Sequence, residues 1–329
     1  MSFQNASIVA LFNQPSLPAH MQVPVRADNH PDVPELDPNH EFDDATRLMD
    51  FIYFLAGRSA QKNLWINGPT GSGKSSFTRQ VACRLGIPTF ELGCHGGTEP
   101  SDIFGRVEPT LNGLAWVDGP MVAAMRSGGI CLLDEYDLVH PTVAMGLNKV
   151  LDTRRFTIPA TGELVKAHPH FRVVATSNSR GGGDASGHHR GVQTQNAAQR
   201  QRWATMHIGY MAEDRELSML KRIALPKAGG GFDSLPELIL KPMLALAQET
   251  RRLFQGEAAT TGEMQPLGVI ISTRVLTNWV KDAISFKGRP DLGNSDPVQH
   301  ALVFNLLQGA DPEDREVIEG LWKRLVGTK

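Results

Sequence analysis

Eight residues, Gly68-Pro69-Thr70-Gly71-Ser72-Gly73-Lys74-Ser75, satisfy the pattern G-x-x-x-x-G-K-[ST]. They follow a short apolar run, Leu64-Trp65-Ile66, and open a stretch from Lys74 to Leu85 that reads as a helix. That context constrains the fold more than any other feature. The glycines let the backbone curl so that its N–H groups face phosphate oxygens, and the following helix adds the positive end of its dipole. The chemistry therefore requires a strand–loop–helix unit. Lys74 is placed to offset charge on β- and γ-phosphates, and Ser75 to offer a hydroxyl to Mg²⁺. The cradle runs from Gly68 to Ser76.

Two further motifs have the same logic. Ile130-Cys131-Leu132-Leu133 is an apolar strand that carries Asp134 and Glu135 to the carboxyl end of a sheet, where ligands bind in open α/β folds. Asp134 suits Mg²⁺, directly or through water, and Glu135 suits a water attacking a γ-phosphate. Val173-Val174-Ala175-Thr176-Ser177-Asn178 is a second buried strand with an amide at its tip. Asn178 is read as orienting that water; the alternative is a plain turn residue, since Asn is common in turns.

The remaining pattern supports a parallel sheet with helices on both faces. Ile87 to Leu92 and Phe171 to Thr176 read as strands, and Val143 to Leu151 as a helix. Beyond the glycine break at 229–231 the β signal fades. Leu235 to Phe254, Arg274 to Phe286 and Val298 to Leu307 read as helices, and Asp311-Pro312-Glu313 as a helix start. The expected organisation is an arm over residues 1–42, an α/β nucleotide-binding domain over 43–228 and a helical lid over 229–329. The formal charge of −2 from 33 basic and 35 acidic residues gives no global pull toward nucleic acid or anionic membrane. Three scattered cysteines exclude a disulfide framework and, without a signal-like start, fit a cytoplasmic location. No apolar run nears the length of a membrane span.

The first forty residues hold six prolines, and the stretch from Asp28 to Asp44, which runs past the end of the arm, holds seven acids and no Lys or Arg. Proline fixes φ and removes a donor, so an extended course is expected. One reading is a solvated tail; the other is an arm that packs on a folded surface, of this chain or a neighbouring one, with Val33, Leu36 and Phe42 as anchors.

Taken in order, the phosphate loop, the acid pair and Asn178 resemble an AAA+ ATPase, with Asn178 at the sensor-1 position. Ser272-Thr273-Arg274 is similar to the sensor-2 segment, which implies that Arg274 touches the γ-phosphate. Asp102-Ile103-Phe104-Gly105-Arg106, Gly113-Leu114-Ala115-Trp116 and Gly119-Pro120 resemble the helix-2 insert of the MoxR clade, and residues 156–165 its hairpin before sensor 1. Val33-Pro34-Glu35-Leu36-Asp37-Pro38, Asp134-Glu135-Tyr136-Asp137 and the stretch from Gly191 to Trp203 narrow the resemblance to the CobS family, the AAA+ subunits of aerobic cobaltochelatase, over roughly residues 25–329. The resemblance implies ATP and Mg²⁺ as cofactors and a homo-oligomeric ring, expected to be a hexamer. It also implies a CobT-like partner with a metal-dependent adhesion domain, and a large chelatase subunit that holds the tetrapyrrole. An arginine finger is implied at Arg202, with Arg200 and then Arg190 as alternatives. The family reads Asp-Arg-Trp where this chain has Gln201-Arg202-Trp203.

Three function classes follow: a chelatase motor, a MoxR-type chaperone for another partner, and, disfavoured by the charge, a nucleic-acid motor with a local path through residues such as Arg106. His188-His189 lacks the carboxylates or cysteines of a metal site. Glu213-Asp214-Arg215-Glu216 and Lys221-Arg222 read as a solvated helix face.

Overall fold

A computed structural model of the chain describes residues 2–60, 62–110, 113–179, 197–225, 235–257, 266–287, 289, 291 and 296–327. His188, His189 and Arg190 lie outside these. The chain divides into two compact units, one of Met1–Pro38, Asp44–Pro69 and Lys74–Ile208, the other of Asn39–Asp43, Thr70–Gly73 and Gly209–Lys329.

The first unit opens with β1 (Phe3–Ser7), α1 (Ile8–Phe12) and β2 (Gln22–Arg26), and the two strands pair antiparallel. The arm is thus not simply extended. Ile8 and Phe12 fall four residues apart on one helical face, and both are buried with Leu17 and Val23. Arg26 donates from its backbone to Leu85 and from its guanidinium to the Ser127 carbonyl. Further on, the Gln80 side chain bonds the Glu35 carbonyl and the Asp37 N–H, both at 2.9 Å. The chain is held there by its backbone, and Leu36 is 59% exposed rather than an anchor. Phe42 is buried.

Then come α2 (Ala45–Leu55), β3 (Asn63–Asn67), α3 (Lys74–Arg84), β4 (Thr89–Gly93) and α4 (Pro100–Phe104). They are followed by β5 (Gly105–Thr110), β6 (Gly113–Asp118), α5 (Pro120–Ser127), β7 (Ile130–Asp134), α6 (Pro141–Gly146) and α7 (Asn148–Thr153). The unit closes with β8 (Arg155–Thr157), β9 (Leu164–Lys166), β10 (Arg172–Ser177), α8 (Ala197–Arg200) and β11 (Ala204–His207). A five-stranded parallel sheet runs β11-β3-β10-β7-β4. Every residue of β3 and β10 is buried, as strands covered on both faces require. The edge strand β4 starts two residues later than expected, after Pro88, whose ring has no N–H to offer. The helix expected over Val143–Leu151 is two short helices that meet at Leu147. The insert is an antiparallel β5–β6 pair and the later hairpin a β8–β9 pair, joined by Phe104 stacked on Phe156 at 4.4 Å. A side chain at Gly105, where φ is +124°, would place its Cβ 2.3 Å from the Val117 carbonyl oxygen. Arg106 pairs with Glu108 at 2.7 Å.

The second unit holds α9 (Glu213–Ala224), α10 (Glu237–Phe254), α11 (Thr273–Phe286), α12 (Pro297–Asn305) and α13 (Pro312–Gly327). It begins at Gly209, not at 229, because Met219, Leu220 and Ala224 of α9 belong to the core built on α10 and α11. Glu216 of α9 is 0% exposed, which corrects the solvated reading of that acidic run. It accepts from both terminal guanidinium nitrogens of Arg251, at 2.7 and 2.8 Å, and from the Thr273 hydroxyl at 2.7 Å. Arg251 Nε donates to the Ile271 carbonyl. A buried pair loses heavily when one partner goes, because the other charge stays uncompensated. Arg251→Ala is therefore expected to lose about 3–5 kcal/mol, read as a lower urea midpoint by tryptophan fluorescence, while replacing both partners with apolar residues restores much of it. An unchanged midpoint for Arg251→Ala would contradict this account.

Among the described residues no helix is long and apolar enough to cross a membrane.

Candidate functional site

Strands β3, β10 and β7 are consecutive neighbours and parallel, so their carboxyl ends lie side by side. This register brings together three motifs that are far apart in sequence. Lys74 is 7% exposed, and its Nζ donates at 2.9 Å to Gly68 O, to Pro69 O and to Asn178 Oδ1. The amide and the ammonium thus meet between the phosphate loop and the strand tip.

Beside them, Ser75 Oγ donates to Asp134 Oδ1 at 2.5 Å, and the Thr176 hydroxyl donates to the same oxygen. A hydroxyl and a carboxylate, both hard oxygen donors, converge at the start of α3, and that chemistry fits Mg²⁺ completed by water and phosphate oxygens. Ser75 and Asp134 are the residues that would hold it, and the ion would neutralise phosphate charge there. Thr176 carries no sequence signal as a site residue; only the fold reveals that it faces Asp134.

Glu135 is exposed and has a left-handed backbone, φ 57° and ψ 39°, one of four such non-glycine residues among those described. Such a geometry costs about 1–3 kcal/mol and persists only when its surroundings hold it. Here the Glu135 N–H donates to Thr176 Oγ1 at 3.2 Å, and a 3-10 turn over Tyr136–Leu138 follows at once. The carboxylate therefore stands free of Asp134 and open to water.

In the second unit, the loop tip Thr70–Gly73 packs with the lid helices. Gly71 has φ +66°, and a Cβ there would fall 2.3 Å from Ser272 Oγ and 3.7 Å from Arg274 Cβ. Ser272 caps α11 by accepting from Val275 N, which puts Arg274 in the first turn with an exposed side chain. Tyr210 OH donates to Thr70 O at 2.7 Å, and Arg251 stacks over the Tyr210 ring at 4.1 Å. Burial pushes the Tyr210 phenol up to about 12, so it remains a donor at neutral pH. Tyr210 carried no sequence signal, since a lone tyrosine 140 residues from its partner has none.

Arg202 is not gathered with these groups. Its Nε lies 2.9 and 3.0 Å from the Asp152 carboxylate oxygens, and Nη1 donates to the Ala198 carbonyl. The carboxylate that Arg202 meets thus comes from α7, not from the adjacent Gln201. Asn63 braces the segment by donating to the Arg202 carbonyl at 2.9 Å and accepting from Arg154 at 2.7 Å. Arg200, at the end of α8, is exposed.

Residues 63–193 match the AAA domain (dynein-related subfamily). The chain is 29% identical over 303 residues to the aerobic cobaltochelatase subunit CobS of a Sinorhizobium species, covering 88% of this chain and 86% of that protein. It is 32% identical over 212 residues to the denitrification regulatory protein NirQ of Stutzerimonas stutzeri, covering 64% and 68%. It is 34% identical over 170 residues to protein NorQ of Paracoccus denitrificans, covering 51% and 60%.

Proposed function

The chain belongs to the AAA+ ATPases, in the MoxR clade and with likeness to CobS, and from that membership we propose that it is a Mg²⁺-dependent ring motor whose ATP hydrolysis remodels an adhesion-domain partner. The observation that carries the hydrolytic part is the meeting of Lys74, Asn178, Ser75 and Asp134 at the ends of three adjacent strands. Lys74 and the loop N–H groups bind and orient the triphosphate. Asn178 and Glu135 position and polarise a water. Arg202 reaches the site of a neighbouring subunit, and Arg274 responds from the lid. Catalysis of this kind is positioning plus charge stabilisation.

The likeness to CobS across 88% of the chain supports a CobT-like partner and a role in cobalt insertion into a corrin precursor. A MoxR-type chaperone of another partner is the second reading, supported by the likenesses to NirQ and NorQ. The test of the shared activity is Lys74→Ala. Loss of one charge-assisted contact set is worth about 1.5–3 kcal/mol, so ATP affinity should fall ~10- to 100-fold with the fold intact by circular dichroism. Unchanged affinity and turnover would remove the basis of the reading. Stimulation of turnover by a CobT-like protein, with Co²⁺ and a corrin precursor consumed, separates the chelatase role from the chaperone role.

A further inference from the structure

Both chain neighbours of Asn178 are tied down by side chains. Before it, Ser177 Oγ accepts from Trp65 Nε1 at 2.7 Å and donates to the Ser179 carbonyl at 2.5 Å. After it, Ser179 donates twice to one oxygen, Asp137 Oδ2, from its backbone N–H at 3.1 Å and from its hydroxyl at 2.9 Å. Asp137 is 1% exposed. A carboxylate withdrawn from water in this way is costly unless hydrogen-bonded, and its donors here both come from the residue that follows Asn178. Asp137 also lies two residues beyond Glu135, at the centre of the 3-10 turn that begins there. Tyr136, between them, packs edge-on against Trp65 at 5.5 Å. The two braces on Asn178, Trp65 and Asp137, thus belong to one packed assembly.

From this geometry we propose that Asp137 is a positioning residue for hydrolysis. It grips Ser179 so that the Asn178 amide is aimed at Lys74 and the terminal phosphate, and it makes the acid-pair turn and the amide turn move as one body. The proposal rests on Asn178 acting at the γ-phosphate. What Ser179 requires is an acceptor oxygen, not a charge, because both of its donors converge on one Oδ. An asparagine at 137 presents the same acceptor, whereas an alanine releases the turn. The amide's aim is then lost while the loop that binds ATP is untouched.

The test compares Asp137→Ala, Asp137→Asn, Asn178→Ala and the Asp137→Ala/Asn178→Ala pair in the full chain. Affinity is read with a fluorescent ATP analogue and turnover at saturating ATP. A misaimed catalytic group costs up to about 100-fold in rate, so Asp137→Ala should lose ~10- to 100-fold in turnover with ATP affinity unchanged. Asp137→Asn should recover most of that loss, and the double variant should be no slower than Asn178→Ala alone. A purely structural role would lower thermal stability without sparing the asparagine variant or cancelling in the double variant. Normal turnover in Asp137→Ala beside a slow Asn178→Ala overturns the positioning role and leaves Asn178 in place. Normal turnover in Asn178→Ala overturns the reading of Asn178 itself. If Asp137→Ala does not fold, Ser179→Ala takes its place. It removes the hydroxyl donor alone and should slow turnover with unchanged affinity, and wild-type turnover in that variant counts against the proposal.

Discussion

Arg202→Ala is expected to bind ATP normally and to hydrolyse it ~10³- to 10⁵-fold more slowly, the range by which arginines supplied to a phosphoryl-transfer site accelerate it. In the single chain, Arg202 does not meet the phosphate site but pairs with Asp152. That pair is partly exposed, with side chains 27% and 48% accessible. Exposed ion pairs contribute only about 0–1 kcal/mol, so leaving Asp152 for the far denser charge of a triphosphate costs little. The Arg202 backbone, in contrast, is fixed through Asn63 and Arg154. This combination of a braced backbone and a weakly held side chain suits a group presented outward to another subunit. Turnover of Arg202→Ala mixed with Lys74→Ala subunits gives the decisive measurement. One interface in such assemblies pairs an intact phosphate loop with an intact arginine, and activity should return. Verified mixed assemblies that stay inactive would place the arginine's action within its own chain.

How much of this was legible in sequence depends on how local each signal is. The strands β7 and β10 are continuous apolar runs that end in polar residues, and period and termini alone identify them. The phosphate loop is contiguous, so its eight residues identify themselves without any tertiary information. Asp137 was visible in sequence only as part of a motif; its role comes from Ser179, 42 residues on, and needs the β7–β10 pairing to appear. Glu216 looked solvated because its neighbours Glu213, Asp214 and Arg215 are charged, whereas helical spacing turns it toward Arg251, 35 residues away. In the N-terminal segment the prolines dominate the sequence signal. Ile8, Phe12 and Val23, which outweigh them by burial, are split between a five-residue helix and a five-residue strand. Gln201 beside Arg202 is plain in sequence, whereas the Asp152 partner on α7 is a tertiary fact.

Glu135→Gln should retain ATP binding and lose ~10²- to 10⁴-fold in turnover, the usual contribution of a positioned general base. The two acids of the pair differ in what surrounds them, and that difference fixes which substitution is informative. Asp134 accepts from Ser75 and Thr176, so altering it disturbs the start of α3 and β10 together. Glu135 engages Thr176 through its backbone N–H, and its side chain is exposed. Glutamine has the same length and the same backbone, so the left-handed turn, the 3-10 segment and the Asp137–Ser179 grip all remain. Only the negative charge that polarises water is removed. Nucleotide affinity, measured with a slowly hydrolysed analogue, should match the unsubstituted chain, and single-turnover hydrolysis should show the loss in the chemical step. Because the bound triphosphate then persists, assemblies that depend on it should outlast those of the unsubstituted chain in size-exclusion chromatography with ATP. Turnover near normal in Glu135→Gln would mean that a different group activates the water, and the exposed carboxylate on its strained turn would need another explanation.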